Sequence, residues 1–211
     1  EAFRQFWKNN NLTGVPEPMI PSPLSRGYRT NSKRRAFRQR DQVLLGLTDI
    51  SESGKIRPLD VIQCPIEPEE HSLIYNFLQQ YISTRDGRPL AEELNYAIIK
   101  GSYDEYTVIL NVKSLRPELN TIINHLSKNL TKSFKKIVSL FAAVDEHSKY
   151  YLSDKLNAFR KVFGKKEIYQ KAGALSFLYS PLSFSQTNGA MIETMTKKIS
   201  ELMNYRKPEV L

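Results

Sequence analysis

Apolar residues recur along this chain at two spacings, every second position or every third to fourth, and each spacing predicts its own element. Residues Lys33–Arg38 and Gln42–Thr48 suit strands, and the polar Gln39, Arg40 and Asp41 between them predict a hairpin. A turn at Ser51–Gly54 leads to an expected third strand near Leu59–Gln63. Pro68 is placed for the first turn of a helix whose apolar face is Leu73, Ile74, Phe77, Leu78, Tyr81 and Ile82, with Asp86 and Gly87 ending it. The scheme then repeats in kind. A second hairpin is expected from Leu94–Lys100 and Tyr106–Val112, followed by a helix opened by Pro117 with Leu119, Ile122, Ile123, Leu126 and Leu130 inward. Ile137–Val144, Glu167–Gln170 and Leu175–Tyr179 read as further strands. A last helix, capped by Thr187 or Asn188, would align Met191, Ile192, Met195, Ile199 and Leu202 on one side. At the other end, Glu1–Lys8 reads as the end of a helix, and four prolines within Val15–Pro23 forbid regular structure there.

Hairpins interleaved with crossing helices predict an α+β fold, a mostly antiparallel sheet with helices packed mainly on one face. The expected organisation is a helix end and linker over 1–25, a central α+β domain over 26–186, and a helix over 187–211 that leads onward. Arg206–Leu211 reads as a loop entering an apolar strand of only two residues, so the chain reads as a piece of a longer protein.

Charge changes the picture more than hydropathy does. Lysine and arginine number 31 against 22 acids, a formal net charge of +9, which favours a polyanionic partner. The excess is concentrated: Arg26, Arg29, Lys33, Arg34, Arg35, Arg38 and Arg40 form a run without an acid, interleaved with Tyr28 and Phe37. Guanidinium forks grip phosphates and aromatic faces stack on unpaired bases, so the run suits a folded RNA with exposed loops. On a strand, Arg34, Ala36, Arg38 and Arg40 fall on one side and Lys33, Arg35 and Phe37 on the other. A solvated, charge-protected edge strand is the plainer reading of the same residues.

The remaining chemistry is sparse. One cysteine, Cys64, excludes an internal disulfide framework and fits a reducing compartment, so a cytoplasmic location is expected. The longest apolar stretch, Ile137–Val144, falls far short of the roughly 20 residues that cross a bilayer, so no membrane association is expected. His71, His125 and His147 are too widely spaced for a helical metal site and read as surface or boundary residues. No two of the nine glycines lie close enough to build a phosphate- or dinucleotide-binding loop.

Three segments, in order, resemble the S-adenosylmethionine-dependent RNA uracil-5-methyltransferase family. The first runs from Arg26 to Arg34, the second is Asp60-Val61-Ile62-Gln63-Cys64-Pro65-Ile66, and the third is Ser180-Pro181-Leu182-Ser183-Phe184-Ser185-Gln186-Thr187-Asn188. The third is similar to the family's Ser-Pro-x-x-Phe-x-Gln-x-Asn motif, which precedes the helix leading into the cofactor domain. From the basic run, Arg29, Lys33, Arg34, Arg35 and Arg38 are expected to bind substrate. The resemblance implies that Phe184 neighbours the flipped base, and that Gln186 sits where cofactor and target uracil meet. Extruding a base before methylating it gives a positioned aromatic and an amide a physical purpose. Cys64 matches the last of four iron–sulfur ligands found in some members, and this chain holds no other cysteine. In the family a cysteine thiolate adds to C6 of uracil and a carboxylate later removes the C5 proton. That nucleophile and the glycine-bearing cofactor loop follow the third motif at a distance this chain does not reach, so it holds no catalytic residue. The expectation is an RNA-recognition part, for ribosomal or transfer RNA and not DNA, inactive by itself; the alternative is a non-catalytic RNA-binding module.

Overall fold

The computed structural model describes residues 1–40, 42–145 and 158–203. Asp41 of the first turn, His147, and the expected loop and strand at Arg206–Leu211 lie outside the described residues. The elements, in order, are α1 (Ala2–Asn9), β1 (Ser32–Gln39), β2 (Gln42–Ile50), β3 (Ile56–Leu59), α2 (Glu69–Ile82), α3 (Arg88–Glu93), β4 (Leu94–Gly101), β5 (Tyr106–Val112), α4 (Pro117–Ser133), β6 (Ile137–Val144), β7 (Ala158–Gly164), β8 (Ile168–Ala172), β9 (Leu175–Tyr179) and α5 (Met191–Leu202).

Among the described residues, seven strands form one sheet in the order β3-β2-β1-β4-β5-β6-β7, and β8 pairs with β9 separately. Every pairing is antiparallel except β5 with β6, whose connection is α4. Helices α2, α3 and α4 cover one face. Their inward residues, among them Ile74, Leu78, Leu90, Ile123, Leu126 and Leu130, pack against Ala36, Ala97, Ile99, Val108, Leu110 and Leu140 of the sheet. This is where the fold places its main core, as the α+β expectation required. On the opposite face a smaller cluster joins Ile98, Ile109, Phe141 and Ala143, with Phe159 stacked on Phe141 at 4.8 Å.

Several boundaries differ from the sequence reading. The third strand is Ile56–Leu59, because the hairpin from β2 is tight and pairs Ile50 with Ile56. Pro58 is tolerated there since β3 is the sheet edge and needs no outward N–H. Strand β7 has no alternation marked enough to predict it, and it owes its place to pairing with β6. Helix α2 is rotated from its expected face: Leu73 is 52% exposed, whereas His71 and Tyr75 are buried. Their polar atoms meet Ser32 inside the core, which a hydropathy pattern does not register. Neither Thr187 nor Asn188 caps α5, whose first residue follows Ala190 without a side-chain cap. The residues expected on its apolar face are not buried, and Met195, Ile199 and Leu202 are exposed.

Candidate nucleic-acid interface

The segment just before β1 is held on both sides by the other two motifs. On one side the Gly27 N–H donates to the Pro65 carbonyl at 3.0 Å and the Arg29 N–H to the Ile66 carbonyl at 2.8 Å. On the other, the Thr30 N–H donates to the Thr187 carbonyl at 2.8 Å, and Arg29 forms an isolated antiparallel bridge with Asn188. Gly27 makes its turn at φ +62°, a region costly for residues with a Cβ. Gly189 is needed for closeness instead: a Cβ there would lie 3.1 Å from Gln170 Nε2 and 3.3 Å from Thr30 Cγ2.

Two side chains fix the Ser180–Ser185 turn over the open face of the sheet. Asn31 donates through Nδ2 to Ser185 Oγ at 2.9 Å and accepts from the Gly101 N–H at 3.3 Å. Lys100, at the end of β4 and only 8% exposed, donates through Nζ to the carbonyls of Pro181 (2.8 Å) and Ser183 (2.6 Å). Burial pushes its amine down to about 8 from 10.5. The sequence reading overlooked this lysine because it stands in a strand with no basic neighbour.

Between β1 and the turn lies a cavity of about 370 Å³ whose wall includes Arg29, Asn31, Lys33, Lys100, Phe184 and Ser185. Arg29 and Lys33 of the basic run thus share one cavity with the Phe184 turn from the far end of the chain. Phe184 is 85% exposed, with its ring free of the core. Lys33 faces the same way as its cross-strand partner Ile98 and lies 6.0 Å from the Tyr96 ring. Although its side chain reaches solvent, desolvation in the cavity wall and then the nearby Arg29 charge hold its amine below the usual lysine range. Two cations drawn to one concave wall favour an anion between them.

Other residues of the expected set are placed differently. Arg34 does not reach the surface: it is 1% exposed, bonds both oxygens of Glu67 at 3.0 and 2.7 Å, and lies 4.5 Å from the Tyr75 ring. Alternation sends it into the core beside Ser32 and Ala36, so its phosphate role is withdrawn. Ser32 Oγ lies 2.9 Å from His71 Nδ1 and 3.0 Å from Tyr75 Oη in the same buried network. His71, expected near the surface, is fully buried, and desolvation followed by the Arg34 charge pushes its imidazole down to about 3. Arg35 stays on the open face, 5.5 Å from the Phe37 ring. Arg38 lies at the far end of the strand, where its Nη2 donates to the carbonyls of Glu92 and Leu94. Gln186 is exposed beside the cavity without lining it.

Cys64 is a free, half-buried thiol near Ser72. No group of three or more potential ligands gathers among the described residues, and a four-cysteine cluster would need three thiolates that these 211 residues lack. No helix of the described residues is long and apolar enough to cross a membrane.

No family model matches the chain. An uncharacterized RNA methyltransferase of Oceanobacillus iheyensis is 28% identical over 157 residues, covering 70% of this chain and 33% of its own length. Among solved structures, the tRNA (uracil-54, C5)-methyltransferase of Pyrococcus abyssi, in complex with S-adenosyl-L-homocysteine, superimposes with a TM-score of 0.65 at 21% identity. That match covers 94% of this chain and 46% of the archaeal one. The chain therefore spans about a third of its curated relative and less than half of the solved structure. The sequence relative bears the name of an RNA methyltransferase, and the archaeal structure shares the fold of this chain.

Proposed function

We propose that this chain is the RNA-recognition part of an S-adenosylmethionine-dependent RNA uridine C5-methyltransferase. The observation that carries the reading is the cavity shared by Arg29, Lys33 and Phe184. Arg29 and Lys33 would take phosphates, and Phe184 would stack on a uridine extruded from its loop. Gln186, two residues after Phe184 and exposed, would read the pyrimidine edge where the cofactor approaches. Asn31 and Lys100 hold the turn so that the aromatic ring is presented at a fixed place. The two domain boundaries expected at residues 25 and 186 belong to the same proposal.

The chemistry that S-adenosylmethionine supplies when bound is donation of a methyl group. These residues bind and orient RNA; none is assigned the nucleophile or the base. The chain by itself is accordingly inactive. A folded RNA is the partner, ribosomal or transfer, and transfer RNA is the first to test because the archaeal enzyme sharing this fold acts on it. Titration of the purified chain into labelled transfer RNA should give binding whose log affinity falls steeply with log salt. The same chain with labelled S-adenosylmethionine and RNA should transfer no methyl groups. Flat or absent RNA binding would refute the recognition role, and turnover would refute the inactivity.

A further inference from the structure

A second concave basic surface lies at the opposite end of β1. Its walls come from the end of β1 with Arg40, the start of β2, the end of α2 and the start of α3, enclosing a cleft of about 520 Å³ lined by Arg38, Arg40, Arg85 and Arg88. Glu92 is the carboxylate among its described lining residues, and its contact with Arg88 is a long one of 3.7 Å between two well-exposed side chains. No described carboxylate pairs with Arg40 or Arg85. Arg38 is fixed in place by the two carbonyl bonds of its Nη2, at 2.6 and 3.1 Å. The four arginines come from two segments far apart in sequence, so their convergence is a product of the fold and not of one basic stretch.

We propose that this cleft is a second phosphate-binding site, taking the backbone of an RNA segment that flanks the uridine held at the first cavity; the proposal rests on the reading of the chain as RNA-binding. A strand advances about 3.3 Å per residue, so Lys33 and Arg38 stand roughly 17 Å apart along β1. Phosphates of different nucleotides must serve the two sites. Four arginine forks in a groove with one acid among its described lining residues match the charge and geometry of a sugar–phosphate backbone. The cleft has no exposed aromatic ring among its lining residues, so it would hold backbone and leave base contacts to Phe184.

Two probes separate the sites: transfer RNA, long enough to reach both, and a short single-stranded uridine oligonucleotide, which fits the first cavity alone. Replacing the exposed pair, R85A with R88A, should leave oligonucleotide binding unchanged. It should make the salt dependence of transfer RNA binding shallower by about 1.4 in the log–log slope, about 0.7 for each cation removed from a single-stranded contact. The charge-preserving pair R85K with R88K should keep the original slope. An unchanged transfer RNA slope and affinity in the alanine pair, while K33A weakens both probes, would overturn the second site and leave the first standing. Lysine variants with a slope as shallow as the alanine variants would also overturn it. Binding of neither probe by the wild-type chain would remove the RNA reading and this inference with it.

Discussion

Strand β1 carries basic residues to both faces of the sheet, and the two faces use them in opposite ways. On the helix-covered face, Arg34 is sealed in with Glu67, Tyr75, Ser32 and His71, and its charge serves the fold. On the open face, Lys33 borders a cavity roofed by a turn from the far end of the chain. One residue of displacement separates a cation sealed in the core from a cation at a cavity wall. The difference teaches that charge density along a sequence does not measure charge density on a surface; the pleat divides the run first.

The largest effect should come from breaking the buried pair. Arg34→Met leaves Glu67 buried without its partner and should cost about 3–5 kcal/mol, read as a lowered denaturant midpoint. Adding Glu67→Leu should recover most of that loss, since a pair replaced by apolar groups is often nearly neutral. No recovery would mean that Arg34 acts through something other than Glu67. On the open face the signs reverse. Phe184→Ala should leave the midpoint in place and weaken binding of an RNA with unpaired uridines by about 1–3 kcal/mol, the usual worth of one stacked base. Lys100→Met should lower RNA affinity severalfold by releasing the turn that bears Phe184, and it should remove any affinity step near pH 8. For stability the Lys100 sign is the reverse of the affinity sign. Between about pH 8 and 10.5 the unfolded lysine keeps a proton that the folded one has lost, so this group adds stability as pH rises.

Acid titration sharpens the contrast further. The folded His71 stays neutral down to about pH 3, while the unfolded imidazole takes a proton near 6.5. Its contribution is therefore complete above 6.5 and is lost progressively as pH falls towards 3. A midpoint that moves equally in wild type and in His71→Phe across that window would assign the acid loss elsewhere. The smallest effect is Lys33→Ala, which should reduce the salt slope of RNA binding by about 0.7 and weaken all RNA sequences alike.

Much of the architecture was legible because it rests on periodicity. Both hairpins, the two long helices and the buried β6 have apolar spacings that leave little choice of element. Strand β7 was not, since its burial alternates weakly and its pairing with β6 decides it. The site was half legible. Arg29, Lys33 and Phe184 stood out by type and motif, and the cavity unites them. The sequence could say that Arg34 and Lys33 face opposite ways, but not which way is inward, because that depends on α2 and its Glu67 neighbour. Lys100 had no signal at all. Its importance comes from two carbonyls more than eighty residues later in the chain, a relation that exists only in the folded molecule.

The bond between Thr30 and Thr187 spans 157 positions. During synthesis, a chain that had emerged only as far as β9 would already own its strands and helices α1 to α4 yet possess no roofed cavity. The cavity should consequently form abruptly once residues 180–190 leave the ribosome, and the proposed affinity for a uridine-bearing loop should arise only from that moment.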